Sequence, residues 1–207
     1  MKRSIEEHAS RFDDRAPEYD GSKSAEYEAA AALVVDHADL RPGETVLDLG
    51  TGTGAIALAV ADGAGAVIGR DISEGMLEQA RAKADERGLG NVSFGQGRFR
   101  DPNVDGDIDV VTSNFAMHHL DDEGKREAID VIAGLDPRRF VLGDVMLFGE
   151  ADPSEPFYSP AVDDPATVGT LADALTDAGF VLSAVERVHD QVGVLVADDP
   201  DRLAGAR

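Results

Sequence analysis

Apolar residues recur along this chain with two different periods, and the two alternate. Short runs rich in Val, Ile, Leu and Ala at 45–49, 66–71, 91–96, 107–113, 139–145, 181–188 and 191–197 predict seven strands. Between them the apolar residues fall three and four apart, which is helical spacing. The segment 24–37 carries such a stripe at Tyr27, Ala31, Val34 and Val35, and 55–61 reads AIALAVA. Ser73 is a cap for a helix with Met76, Leu77, Ala80 and Ala84 on one face and Gly88 as its stop. Asp121 caps another, with Ala128, Ile129, Ile132 and Ala133, closing at Asp136-Pro137. Asp164 and Pro165 start the last, with Val168, Leu171, Ala172 and Leu175 inside and Gly179 as its stop. The first segment is helical up to Arg15 and breaks at Pro17.

Strands separated by helices build βαβ units, so the expected fold class is α/β. It would be a Rossmann-like, seven-stranded, mainly parallel sheet with helices on both faces. The last two strands are joined only by His189 and Asp190, and so short a connection permits only an antiparallel pair. The last strand is therefore antiparallel. The 207 residues read as a single domain, with a helical cap over 1–40 and the sheet core over 44–197. The stretch 147–164, with Phe157 and Tyr158 at its centre, is proline-rich and long for a loop, as functional covers are.

Chemistry concentrates where the first strand breaks, in TVLDLGTGTG from Thr45 to Gly54. A buried strand delivers the chain into a glycine-rich turn at a helix N-terminus. There Gly50, Gly52 and Gly54 permit positive φ and let a ligand lie against the main chain, and free amides would face it. Gly50, Gly52 and Ala55 match a loose dinucleotide-binding fingerprint, with Asp71 about 20 residues on to hold a ribose. A pyrophosphate would be repelled by Asp48, however, whereas a cationic amino group would be drawn to it, directly or through water.

Composition narrows the choice of partner. Forty-one Asp and Glu against 19 Lys and Arg give a formal net charge of −22, which repels phosphate backbones and anionic membranes. The acid is spread over the whole chain, the pattern of a halophile's solvated surface, so it reports habitat more than partner. With no cysteine there is no disulfide or thiolate metal site. No apolar run is long enough to span a membrane, and the start MKRSIEEHAS lacks the apolar core of a signal peptide, so a cytoplasmic protein is expected.

The acidic strand followed by G-x-G-x-G resembles the first motif of class I S-adenosylmethionine (SAM) methyltransferases. RFDDRAPEYD, VIGRDISEGMLEQAR and SNFAMHHLDDEGKREAI resemble the small-molecule branch, the ubiquinone/menaquinone-biosynthesis type (type 11/25). The resemblance covers nearly the whole chain and implies SAM as cofactor and a small-molecule acceptor. It places Asp48, Gly50, Thr51, Gly52 and Gly54 at the cofactor's methionine half, and Asp71 and Ile72 at the ribose. Tyr19 would reach the pocket from the leader, and Asn114 and Phe115 would meet cofactor and acceptor after the fourth strand. At Gly97-Arg98-Phe99 the family has Gly-Asp, whose acid accepts from the adenine amino group. Arg98 has donors only, so a backbone carbonyl or Asp101 would replace it while Phe99 packs on the purine. The chain lacks the (N/D)PP(Y/F) signature of nucleobase amino-methylating enzymes, which counts against a nucleic-acid substrate.

His118 and His119 follow the fourth strand, where parallel α/β sheets bind ligands. Either could brace the loop or act as general base near neutral pH. Adjacent side chains diverge, so one at most acts as base, and His119 is preferred. No third ligand is evident for a metal at this pair. A monomer or homodimer is expected. Two other classes remain open: a nicotinamide-dependent oxidoreductase, on the Gly50, Gly52, Ala55 match, and a non-catalytic SAM-binding protein, on Arg98.

Overall fold

The computed structural model describes residues 5–149 and 157–203. In chain order, helix α1 is Ile5–Arg15 and α2 is Ala25–Ala38, with a 3-10 segment Ala16–Ser22 between them. Strand β1 (Thr45–Leu49), helix α3 (Ala55–Val60), β2 (Ala66–Asp71), α4 (Glu74–Arg87) and β3 (Val92–Gln96) form the first half of the core. The second half is β4 (Val110–Asn114), α5 (Asp122–Gly134), β5 (Arg139–Val145), α6 (Val168–Asp177), β6 (Val181–His189) and β7 (Val192–Asp198), followed by the short α7 (Pro200–Leu203). The strands lie in one sheet, ordered β3-β2-β1-β4-β5-β7-β6. All neighbours are parallel except β7, which runs antiparallel to both β5 and β6. No helix of the described residues is long and apolar enough to cross a membrane.

The period-two alternation of a strand sorts each β1 side chain to one face of the sheet. Leu47 and Leu49 join Val111, Ile129, Ile132, Phe140, Leu142 and Leu175 under α5 and α6. Val46 joins Val34, Ile56, Val60, Val67, Val110 and Val141 under α2 and α3. The central strands are buried on both faces, which is why they read as continuous apolar runs rather than alternating ones. Side-chain caps fall where the sequence placed them at Ser73 and Asp121, each accepting from the amide three residues on.

Three boundaries differ from expectation. The α6 cap is Thr167, whose hydroxyl accepts from the Thr170 amide, so Asp164 and Pro165 precede the helix. There Asp164 is drawn into another bond, its amide donating to the His118 carbonyl at 2.7 Å. The fourth strand begins at Val110, just after Asp109, whose Oδ2 accepts the Thr45 amide and whose amide donates to the Thr45 carbonyl. In α2 Val34 is buried as expected, together with Ala30 and Ala38, whereas Ala31 and Val35 are only partly buried and Tyr27 faces the cavity described below. Of the expected loop 147–164, positions 150–156 lie outside the described residues.

Candidate active site

A cavity of about 530 Å³ opens at the carboxyl ends of β1, β2 and β4, a volume that suits a small-molecule ligand. Its wall includes Gly50, Thr51 and Gly52 from the β1 turn, and Asp71 and Ile72 from the end of β2. Arg98, Phe99 and Asp101 follow β3, and Asn114, Phe115 and His119 follow β4. The N-terminal segment covers it, contributing Ile5, His8, Phe12 and Tyr19.

The glycine turn is tied to β2 rather than left open. Gly50 and Thr51 amides both donate to the Arg70 carbonyl, at 2.8 and 3.0 Å, and the Gly54 amide to the Thr51 carbonyl. The Gly52 amide donates to Asp71 Oδ2 at 2.8 Å. The expectation of free amides at these four positions is therefore corrected: they fold the turn. Gly52 itself has φ +51, and the space where a Cβ would stand is empty, so a ligand can approach the main chain there. Asp71 accepts the Ser73 amide through Oδ1 at 2.9 Å while still lining the cavity. Burial raises its pKa against the pull of those amides.

Asp48 does not reach the cavity wall. Alternation along β1 puts it on the face of Val46, under the turn, with only 1% of its surface exposed. Its oxygens accept from the Thr51 and Thr112 hydroxyls at 2.6 and 2.8 Å, and burial pushes its pKa up to about 6. It acts on the cavity through its field and through Thr51. Gly54 is likewise set back, forming the α3 cap at φ +84 against Leu58 and Ala80.

Asn114 ends β4 on the cavity wall. Its amide nitrogen and oxygen are buried without a hydrogen-bond partner among the described residues, and the Tyr27 phenol lies beside them. Leaving such groups unmatched costs about 1–3 kcal/mol each, so a polar ligand is what this wall accommodates. Gly143 makes room: a Cβ there would stand 2.5 Å from Asn114 Oδ1. Phe115 takes φ +54, a strained backbone for a non-glycine, and stacks on Tyr27 at 5.0 Å between ring centres. Tyr19 and Tyr27 both have raised pKa values, first through burial, and stay protonated at neutral pH.

Beyond β3 the chain folds back on itself, the Arg98 amide donating to the Asp101 carbonyl at 2.8 Å and the reverse bond at 3.1 Å. The Arg98 guanidinium is half exposed and lies 3.9 Å from Glu6. Asp101 and Phe99 both line the cavity, Phe99 close to Gly50.

The two histidines separate. His118 is buried off the cavity, its Nδ1 2.5 Å from Asp144 Oδ1 and its amide donating to Asp144 Oδ2. It braces the loop, so its candidacy as base is corrected. His119 lines the cavity, with Nδ1 2.8 Å from Asp163 Oδ1. Burial, then the neighbouring His118, push its pKa down to about 4 rather than leaving it near 6.5. Asp163 also supplies the third donor that the sequence did not reveal: one ligand atom each of His118, His119 and Asp163 lie within 4.8 Å of one another. Sequence reasoning missed His8, Tyr27 and Asp163 as site residues. Tyr27 carried a signal, a polar tip on an apolar helical stripe. Asp163 carried none, standing 44 residues from its partner.

Comparison with known proteins agrees with this geometry. Residues 46–135 match the family model described as a methyltransferase domain. The chain is 31% identical over 200 residues to nocamycin O-methyltransferase of Saccharothrix syringae, covering 94% of this chain and 67% of that protein. Against the uncharacterized methyltransferase YcgJ of Bacillus subtilis it is 36% identical over 115 residues, 54% of this chain and 45% of the relative. The YcgJ crystal structure superposes with a TM-score of 0.66 over 77% of this chain and 71% of that one, at 26% identity. Magnesium protoporphyrin IX methyltransferase from Synechocystis PCC 6803, solved with bound SAM, gives 0.64 over 83% and 77% at 25% identity. The dinucleotide reading of the glycine turn is thereby set aside. A sheet of this order, a glycine turn closed by an acid at the end of β2, and relatives of this kind place the chain in the class I SAM-dependent methyltransferases.

Proposed function

We propose that this chain methylates an O–H group of a small molecule, with His119 as the general base. The observation that carries the reading is the neutral imidazole on the wall of the same cavity as the glycine turn and Asp71. An oxygen acceptor is further supported by the likeness to an O-methyltransferase. When bound, SAM supplies a methyl group on sulfonium sulfur, which the acceptor oxygen takes as the S–CH3 bond breaks to leave S-adenosylhomocysteine.

The residues present fit that ligand. Asp71 offers carboxylate oxygens to the ribose hydroxyls, and Ile72 and Phe99 offer apolar surface to the purine. Asp101 or the carbonyls of the 97–101 turn offer acceptors for the adenine amino group, which Arg98 lacks. Asn114 offers its unmatched amide, and Asp48 a negative charge beneath a cationic methionine end. Tyr19 and the rest of the N-terminal cover exclude water. His119 receives the acceptor's proton, which then passes to solvent, so the reaction releases one H⁺. The cover admits a small molecule rather than a duplex, and the protein is proposed to act as a monomer or homodimer.

Calorimetry with S-adenosylhomocysteine tests the cofactor half. Asp71→Ala is expected to weaken binding by roughly 1.5–3 kcal/mol, the scale of hydrogen bonds to a charged group. Mass spectrometry after incubation with SAM and a panel of phenol, carboxylic acid, amine and thiol tests the acceptor half. Wild-type affinity in the variant would sink the ribose assignment, and methylation confined to amines or thiols would sink the oxygen reading.

A further inference from the structure

Asp163 lies on no helix or strand and 44 residues from the histidine it meets, yet it and its neighbour Asp164 are held by four hydrogen bonds. Its Oδ2 accepts the Ser159 amide at 2.7 Å, and its own amide donates to the Ser159 carbonyl at 2.9 Å. The next residue, Asp164, donates its amide to the His118 carbonyl at 2.7 Å and gives its own carbonyl to Lys125 Nζ. Lys125, 2% exposed, also donates to the Leu120 carbonyl, so one buried ammonium joins this turn to the segment after β4. The carboxylate is thus delivered to His119 by a turn built for that position. Four hydrogen bonds on one short turn, and a fifth that anchors its lysine, exceed what an incidental surface contact would need.

We propose that Asp163 is the positioning residue of His119: its carboxylate accepts a hydrogen bond from Nδ1–H, which leaves the lone pair at Nε2, and its charge balances the imidazolium formed when the acceptor's proton arrives at Nε2. The proposal rests on the reading of His119 as base. A ring with Nδ1–H engaged has its acceptor on the opposite edge, at Nε2. Burial keeps the resting ring neutral, so the lone pair is available at neutral pH. The same burial makes a transient imidazolium unfavourable, and a fixed counter-charge at Nδ1 offsets that penalty where charge develops. The titratable groups facing His119 are His8 from α1, the adjacent His118, Asp144 from β5, and Asp163. Asp163 is hydrogen-bonded to the ring, its Oδ1 also lying 3.9 Å from His118 Nε2, while Asp144 is engaged with His118. One consequence is that the segment reaching from Phe157 to Asp164, expected to cover the acceptor, sets the state of the base. In that segment Phe157 meets Phe115 edge to face at 6.3 Å between ring centres, and its amide donates to Gln191 Oε1.

The test needs no acceptor at first. In ¹⁵N-histidine NMR of the full chain over about pH 5–9, the range in which histidines ordinarily titrate, wild-type His119 should show a protonated Nδ1 and a bare Nε2. His119→Asn assigns the signal. In Asp163→Asn the carboxamide can donate to Nδ1, so the tautomer should move towards Nε2–H, while Asp163→Glu should keep the wild-type form. In single-turnover methylation of the panel phenol, Asp163→Asn should slow transfer by about 10²-fold or more with S-adenosylhomocysteine affinity unchanged, and Asp163→Glu should recover part of it. An unaltered His119 tautomer in Asp163→Asn overturns the proposal. So does tight Zn²⁺ binding by wild type that Asp163→Asn abolishes, since His118, His119 and Asp163 would then be ligands. The predicted tautomer change without turnover of any panel member upholds the hold of Asp163 on the ring and overturns the methyl-transfer reading instead.

Discussion

At the scale of a single residue, Asp48 holds a charge against its surroundings. A carboxylate held beneath the glycine turn among Thr51, Thr112 and the α3 backbone has its pKa raised to about 6, because burial outweighs the bonds it accepts. The sign follows from linkage. A carboxyl whose folded pKa lies above its unfolded value of 3.8 lends stability below that value and loses it as pH rises through 6. The ligand-free protein therefore keeps an unfavourable charge at neutral pH. Asp48→Asn should raise the melting temperature of the free protein at neutral pH, flatten the stability change between 3.8 and about 6, and weaken binding of cationic SAM. Calorimetric melts with and without SAM read both effects. A lower melting temperature at neutral pH would show that the hydrogen bonds, not the charge, dominate.

At the scale of elements, the N-terminal cover is fastened to the core by two carboxylates rather than by an apolar seam alone. Asp13 Oδ1 accepts the Ser73 hydroxyl at 2.6 Å and the Gly75 amide at 2.9 Å, capping the start of α4 from outside. Asp20 accepts from the Thr53 hydroxyl at 2.6 Å and pairs with Lys23 and Lys83, and these partners depress its pKa although burial opposes them. The fastenings sit on exposed side chains, so they hold the cover without contributing much to the core. Asp20→Ala should accelerate release of S-adenosylhomocysteine by roughly 2–5-fold, the scale of exposed ion pairs, with little change in melting temperature. Stopped-flow release rates equal to wild type would mean that Phe12 and Tyr19 hold the cover by themselves.

At the scale of the whole molecule, a net charge of −22 over 207 residues is a long-range repulsion that no single pair relieves. Ion pairs such as Arg100–Glu127 and Arg126–Asp177 use up cations at the surface and leave most of the acid uncompensated. The melting temperature should rise substantially between about 0.1 M and several molar KCl, beyond the range where simple screening has mostly acted. A flat curve across that range would show that the acidic surface is not a salt adaptation.

What the sequence by itself determined is whatever depends on neighbours in the chain. Strand and helix periods, the caps at Ser73 and Asp121, the antiparallel ending at His189-Asp190, and the glycine turn with its acid at Asp71 are all local patterns, and all appear in the fold. The retreat of Asp48 from the cavity wall was not legible, since Gly50 shares its place in the alternation and yet lines the cavity. Tertiary structure decided the rest. The partners of His118 and His119 stand 26 and 44 positions away, on β5 and on a turn with no periodicity, so nothing in the local pattern could assign one histidine to the brace and the other to the cavity. The place of Tyr27 on the cavity wall, and the left-handed backbone of Phe115 beside it, came with packing against the sheet. Chain chemistry chose the fold and the cofactor, and long-range contacts chose which side chains line the cavity, because a sheet's carboxyl edge gathers residues that the sequence keeps far apart.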